Sequence, residues 1–126
     1  MKRVYLSAPV TGRNREDVLA LFERNTEIAR KAFPGCEVFN PVLEVPENAS
    51  HKLAMSICLG ELCGLRAVED GRITGTGYDA MLVSCGWQQS KGCCAEVQVA
   101  ISLGIPVYLI ERKGEENFEL FRLEEA

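Results

Sequence analysis

A single histidine, His51, serves the whole chain of 126 residues, and its six cysteines, at 36, 58, 63, 85, 93 and 94, form no C-x-x-C pair. A zinc site is therefore poorly supported, and neither a metal nor another cofactor is expected. A cysteine nucleophile would usually rely on a histidine base, of which there is one. Long apolar runs are also missing. The opening MKRVYLSAPV carries two basic residues, but its apolar run is far too short for an export signal. The protein is expected in the cytoplasm, with no membrane partner, and there the cysteines read as free buried thiols rather than a disulfide framework. Positive charge is not in excess: 14 Lys and Arg stand against 18 Asp and Glu, a formal net charge of −4. That argues against a nucleic-acid duplex as partner. A free nucleotide needs one local anion pocket and stays open. The G-x-G at Gly75 and Gly77 precedes a strand instead of opening a helix, so it fails as a dinucleotide or P-loop fingerprint. No repeat or low-complexity segment is visible.

What is present suits one packed domain spanning residues 1–126. Hydrophobic residues make up 47% and charged residues 25%, ordinary for a globular protein long enough to bury a core without staples. Arg3 to Ser7 is a β-rich run ended by the turn-forming APVTGRN. From Asn14 a helix is signalled by a capping residue with Asp17 three positions on, followed by periodic apolar residues up to Phe33. Pro34-Gly35 stops it. Cys36 to Phe39 reads as a second strand and leads into a loop with Asn40 and Pro41. A second long helix is expected from about Ser50 to Leu65. Residues 66–77 lack core periodicity and read as an inserted loop or small hairpin, flexible and a candidate lid. After Ile110, the segment ending the chain is expected as a short helix with Phe118 and Phe121 on one side, packing on the sheet or serving a subunit contact.

The densest signal lies between Tyr78 and Ile110. Tyr78 to Ser84 has strand character, Ser90 to Leu103 has helical periodicity, and Ile105 to Ile110 is a further strand. Strand–helix alternation through the chain predicts an α/β fold: a doubly wound parallel sheet of about four to five strands, flavodoxin-like or Rossmann-like. On the last of these helices Lys91, Gln98 and Ser102 share one side, while Glu96 falls on the other among Gly92, Cys93, Val99, Ala100 and Leu103. No basic residue lies three or four positions away to pair with it. Such a carboxylate either escapes to solvent past Gly92, makes a satisfied core hydrogen bond, or serves a ligand at the C-terminal edge of the sheet.

Several motifs resemble the nucleoside 2-deoxyribosyltransferase-like superfamily, and within it a microbial and phage branch. They are the opening V-Y-L-S-A-P-V-T-G-R, the E-V-F-N-P after the first helix, the D-A-M-L-V strand, and G-W-Q-Q-S-K-G-C-C-A-E-V-Q-V-A-I-S-L-G-I-P-V. The resemblance covers most of residues 3–110, without detail from about 44 to 77. It implies that Glu96 is the nucleophile attacking the anomeric carbon, that Asp79 lies near the nucleobase, and that Tyr5 orients the glutamate. It implies that Ser7, Pro9, Gly12 and Arg13 belong to the substrate-binding loop after the first strand. Ser90 and Gly92 match positions that hold a 5'-phosphate in the branch resembling deoxynucleotide N-glycosidases, with Lys91 beside them. The resemblance also implies a homo-oligomer, a dimer or larger. Where the transferases carry a second aspartate before the glutamate helix, this chain has Gln88, Gln89 and Ser90, uncharged and better suited to a phosphorylated ligand. Trp87 stacks on a base or is a core or rim aromatic.

The chemistry implied is cleavage or exchange of the N-glycosidic bond of a deoxynucleoside or its 5'-monophosphate. A carboxylate beside the anomeric carbon can form a glycosyl-enzyme intermediate, with Asp79, or water held by it, protonating the departing base. Ser90 at a helix start suits an anion, although as an isolated feature it is an ordinary cap, and Arg13 and Lys91 can each be solvated charges. The alternative is a non-catalytic protein that senses or sequesters a nucleotide in the same pocket.

Overall fold

The computed structural model describes residues 2–64, 67–69, 72–74, 77–114 and 116–123. Its centre is a five-stranded sheet, built from β1 (Arg3–Ser7), β2 (Glu37–Phe39), β5 (Ala80–Ser84), β6 (Val107–Arg112) and β7 (Phe118–Arg122). The spatial order is β2-β1-β5-β6-β7. The first three pairings are parallel and the last, β6 with β7, is antiparallel. This is the α/β, flavodoxin-like order, in which the direction of winding reverses between β1 and β5. Ligands in such sheets bind outside the carboxyl ends of the strands at that reversal.

Strand alternation sorts the core into two layers. Val4 and Leu6 of β1 and Leu82 of β5 face α1 (Arg15–Ala32), where they pack with Val18, Phe22, Ile28 and Ala29. Tyr5, Met81 and Val83 face the other way, toward α3 (His51–Cys63) and α4 (Lys91–Ser102), and pack with Cys58, Leu62, Val97 and Ala100. Burying a side chain such as Phe22 or Leu82 contributes roughly 1.5 to 3 kcal/mol.

The helices start where their caps stand. Asn14 accepts from the Asp17 N–H at 2.8 Å to open α1, whose first turn is acidic and last turn basic, matching the helix dipole. Ser50 accepts from the Leu53 N–H at 3.1 Å to open α3. After β2 the expected loop turns into a four-residue helix, α2 (Pro41–Glu44), capped by Asn40 and carrying proline at its first position.

Two expectations about segments change. Within 66–77, β3 (Ala67–Glu69) and β4 (Arg72–Thr74) pair antiparallel as a separate ribbon, which is the hairpin form of the inserted segment. The lid reading rests in part on Arg66, Gly75 and other positions outside the described residues. The C-terminal helix is not formed. Residues 118–122 add an antiparallel edge strand instead, closed by the Lys113 N–H donating to the Asn117 carbonyl at 2.9 Å across Gly114 (φ 140°). Phe118 and Leu120, two apart, sit over the α1 layer, whereas Phe121 on the opposite face is exposed. Period-two burial and the unpaired edge of β6 outweigh the helix propensity of the Glu-rich segment.

Among the described residues no helix is long and apolar enough to cross a membrane.

Candidate active site

At the carboxyl ends of β1 and β5 a cleft of about 420 Å³ opens between the loop after β1, the segment around α2, one face of α3 and the start of α4. Glu96 lines it. Only 8% of this residue is exposed, one and a half turns into α4, on the side that packs against the sheet. The burial follows from the wheel: Lys91, Gln98 and Ser102 occupy the exposed side, and Cys93, Val97 and Ala100 are buried around Glu96.

No cation approaches the carboxylate in an ion pair among the described residues. Its partners are hydroxyls on β1, spaced two apart and therefore on one face of the strand. Tyr5 donates its O–H to Oε2 in a short bond, and Ser7 Oγ stands 3.4 Å from Oε1. Each carboxylate oxygen thus faces one neutral donor. Burial pushes the Glu96 carboxyl up to about 7, while hydrogen bonds from Tyr5 and then Ser7 act in the opposite direction. Tyr5 is driven well above the usual phenol range, first by burial and then by the Glu96 charge. Its ring is clamped by Phe39, stacked at 5.1 Å, and by Tyr78, edge-on at 5.5 Å. The hydroxyl is therefore held by a packed aromatic cluster.

Ser90 caps α4 by accepting from the Cys93 N–H at 3.3 Å, and it also lines the cleft together with Gly92 and Cys93. Gly92 lets α3 come close: a Cβ there would stand 3.2 Å from Met55 Sδ. Arg13 lines the cleft as expected, and so does Arg15 at the start of α1. The turn between β5 and α4 passes through Gly86 in the left-handed region (φ 86°), with the Pro9 ring 3.9 Å from where a Cβ would sit.

Of the residues expected at the site, Glu96, Tyr5, Ser7, Arg13, Ser90 and Gly92 come together. Asp79 does not. It precedes β5 at the opposite, N-terminal edge of the sheet, where its Oδ2 accepts from the Arg3 N–H at 2.8 Å. The five residues of β5 put roughly 16 Å between the two edges at about 3.3 Å per residue. Lys91 is exposed and outside the cleft lining, because its side of α4 faces away from the sheet. Trp87, partly buried, packs from a 3₁₀ turn against the α3–α4 layer of the core and outside the cleft lining, with its indole Nε1 buried and without a hydrogen-bond partner among the described residues, which agrees with the rim-aromatic reading. Pro9 and Gly12 shape the loop without lining the cleft; Gly12 takes a turn conformation with φ 81°.

The residues missed by sequence reasoning come mainly from α3. His51, Met55 and Cys58, at i, i+4 and i+7, place one face of that helix on the cleft, and Glu47 adds a second carboxylate from the preceding loop. Their signal was the helical spacing, which fits a core face equally well. Cys58 is pushed up to about 11, by burial and then by Glu96. Among the described residues no group of three or more His, Cys, Asp and Glu is arranged to hold a metal ion.

No curated protein matches this chain, and no solved structure does. Residues 2–109, which carry the sheet from β1 into β6 together with Glu96 and its donors, match the family described as Domain of unknown function (DUF4406), and the chain belongs to that family.

Proposed function

We propose that the chain cleaves or exchanges the N-glycosidic bond of a deoxynucleoside 5'-monophosphate, or of a nucleoside, with Glu96 as nucleophile. The observation that carries this reading is a buried carboxylate on the cleft wall, held on both oxygens by neutral hydroxyls and paired with no cation among the described residues. A carboxylate in that setting is poorly solvated yet fixed in direction, and a developing oxocarbenium charge on a sugar is the partner it lacks. Attack on the anomeric carbon forms a glycosyl ester, and water or a second base then releases it with net retention.

The anionic end of the ligand is assigned to the start of α4, where Ser90 and Gly92 line the cleft at a helix N-terminus, with Arg13 and Arg15 on the same cleft. Asp79 is not available to protonate the departing base. The proton comes from water, or from His51 or Glu47, the other lining side chains able to act as acids.

That vacancy favours a second reading, a nucleotide-binding protein that performs no cleavage. Incubation with a panel of deoxynucleosides and their 5'-monophosphates, followed by chromatography for free base, separates the two. Base release that Glu96→Gln abolishes supports the enzyme. Calorimetric binding of a monophosphate without any release identifies the binder. A nucleoside that binds as tightly as its monophosphate removes the phosphate assignment, and a Ser90→Ala protein that keeps the full preference shows Ser90 to be a cap alone.

A further inference from the structure

The two hydroxyls that hold Glu96 share a property. Tyr5 O–H reaches Glu96 Oε2 and also lies 3.3 Å from the Cys58 carbonyl oxygen. Ser7 Oγ lies 3.4 Å from Glu96 Oε1 and 3.4 Å from Cys93 Sγ. Each hydroxyl has a single proton and two acceptors to choose between. A charged carboxylate wins both, because a hydrogen bond to an ionised acceptor is about twice as strong as one between neutral groups. A neutral carboxyl, protonated or esterified, loses that advantage. Tyr5 and Ser7 are 0% and 1% exposed, so neither hydroxyl can turn to solvent when this happens.

We propose that Cys93 is a positioning residue whose sulfur is the waiting acceptor for the Ser7 hydroxyl, so that the Ser7–Cys93 pair lets Glu96 lose its charge without stranding a buried donor. The Cys58 carbonyl does the same for Tyr5. A main-chain group cannot be removed by substitution, which makes Cys93 the testable half. Cys93 is 1% exposed and sits one helical turn before Glu96, so its sulfur and the carboxylate address the same strand residue. The thiol needs no acceptor of its own, unlike a serine hydroxyl, and it remains protonated because burial pushes it up.

In the glycosidic reaction, on which this part rests, Oε1 or Oε2 bonds to the anomeric carbon while the C–N bond breaks and its electron pair leaves with the base, which takes up a proton. Glu96 is then a neutral ester whose carbonyl oxygen still accepts from the hydroxyl facing it, and the hydroxyl facing the esterified oxygen turns to its waiting acceptor, the Cys93 sulfur for Oε1 or the Cys58 carbonyl for Oε2. Water or the nitrogen of an acceptor base then bonds to the anomeric carbon and gives up its proton to solvent in the cleft, the C–O bond to Glu96 breaks with its electron pair returning to the carboxylate, and the displaced hydroxyl turns back. Protonation of Glu96 in the free protein poses the same demand without any substrate.

Groups facing Glu96 that also carry or take up charge are Tyr5 from β1, Cys58 from α3 and Cys93 from its own helix, and His51 of α3 lines the same cleft. Arg13 and Glu47 from loops, and Arg15 from the start of α1, face that cleft too. All but Cys93 stay unchanged in the variants that follow.

The test is the titration of Glu96 in the ligand-free protein, read from its side-chain carboxyl ¹³C resonance, assigned with Glu96→Gln. Ser7→Ala removes a donor to the charged form, so the midpoint rises by about one pH unit. Cys93→Ala removes the acceptor needed by the neutral form, so the midpoint falls, by about half a pH unit. Cys93→Ser restores it, and Cys93→Val, which fills the space without accepting a hydrogen bond, repeats the fall. In a Ser7→Ala background Cys93→Ala has no effect. A rise or no change in Cys93→Ala, or a shift that survives without Ser7, overturns the proposal. Absence of base release in the wild type removes the glycosidic reading and leaves this titration result standing on its own.

Discussion

Two glutamates stand on the α3–α4 side of the sheet, each bonded to a tyrosine, but Glu61 is partly exposed and Glu96 buried, and their other partners differ. Glu61 accepts from Tyr78 in a short bond and from Arg3 Nη2 at 3.2 Å, and Arg3 also meets Glu37 at 3.4 Å and stacks over the Tyr78 ring at 4.4 Å. Glu96 has its tyrosine and a serine, with no guanidinium among the described residues. The cation spends the Glu61 charge inside the fold, tying the start of β1 to the end of α3. A carboxylate satisfied only by neutral donors keeps its charge for something else. Tyr5 and Tyr78 touch edge-on, so the contrast is maintained within one aromatic cluster and depends on which partner each phenol brings with it.

The comparison breaks first at Glu96. Glu96→Gln keeps the shape and removes the charge, and on the proposed reaction base release is expected to fall on the order of 10³-fold or more, with ligand binding and folding retained; activity equal to wild type would move Glu96 to the structural class of Glu61. Tyr5→Phe keeps the ring between Phe39 and Tyr78 and removes one charge-assisted bond. Turnover should drop by roughly 10- to 100-fold. On the proposed reaction the acid limb of the pH–rate profile is expected near 7, where burial puts Glu96 ionisation, and in Tyr5→Phe it should move to higher pH; a limb that stays in place excludes Tyr5 as the donor that matters.

Stability sharpens the contrast further. Glu96 is raised from an ordinary 4.5 to about 7, so the folded state binds the proton more tightly than the unfolded chain. The associated stability is full below about 4.5 and is lost as pH rises through about 7, on the order of 3 kcal/mol across the window. Denaturant midpoints of wild type and Glu96→Gln should therefore diverge as pH rises, with the wild type losing ground; parallel curves would show that burial does not perturb the group. The smallest effect belongs to the other glutamate's partner. Arg3→Met should cost about 1 to 2 kcal/mol and leave turnover unchanged, and a loss of activity at full folding would show that the two clusters are coupled through the tyrosines.

Much of the site was legible because it is local. Glu96 stood out by its place on the helical wheel and its lack of a basic neighbour, whereas Tyr5 and Ser7 were expected only through the resemblance, and the strand shows why they go together, two apart on one face. Arg13 in a loop, and Ser90 and Gly92 at a helix start, belong to the strand-to-helix connections that the α/β alternation sends to one edge. Asp79 failed for a reason of direction. A residue at the start of a parallel strand belongs to the edge away from the ligand, however well its neighbours match a motif. For Trp87 and Lys91 the structure agrees with the plainer of two open readings, a rim aromatic and an exposed charge, because adjacency in sequence to a helix start does not say which way a side chain leaves the backbone.

Chain order and short-range chemistry determined the α/β class and the long helices with their caps at Asn14, Ser50 and Ser90. They also determined the isolation of Glu96, because periodicity and caps act within a few residues. The tertiary structure alone decided that the last segment is a strand, since only the open edge of β6 makes that pairing favourable. It decided that the α3 face bearing His51, Met55 and Cys58 closes the cleft, because a helix face can serve a core or a cavity until something is packed against it. It decided, finally, which carboxylate received an arginine. Arg3 lies 58 residues from Glu61 and 93 from Glu96, and the direction of β1 and the position of α3, not any local pattern, bring it to one and keep it from the other.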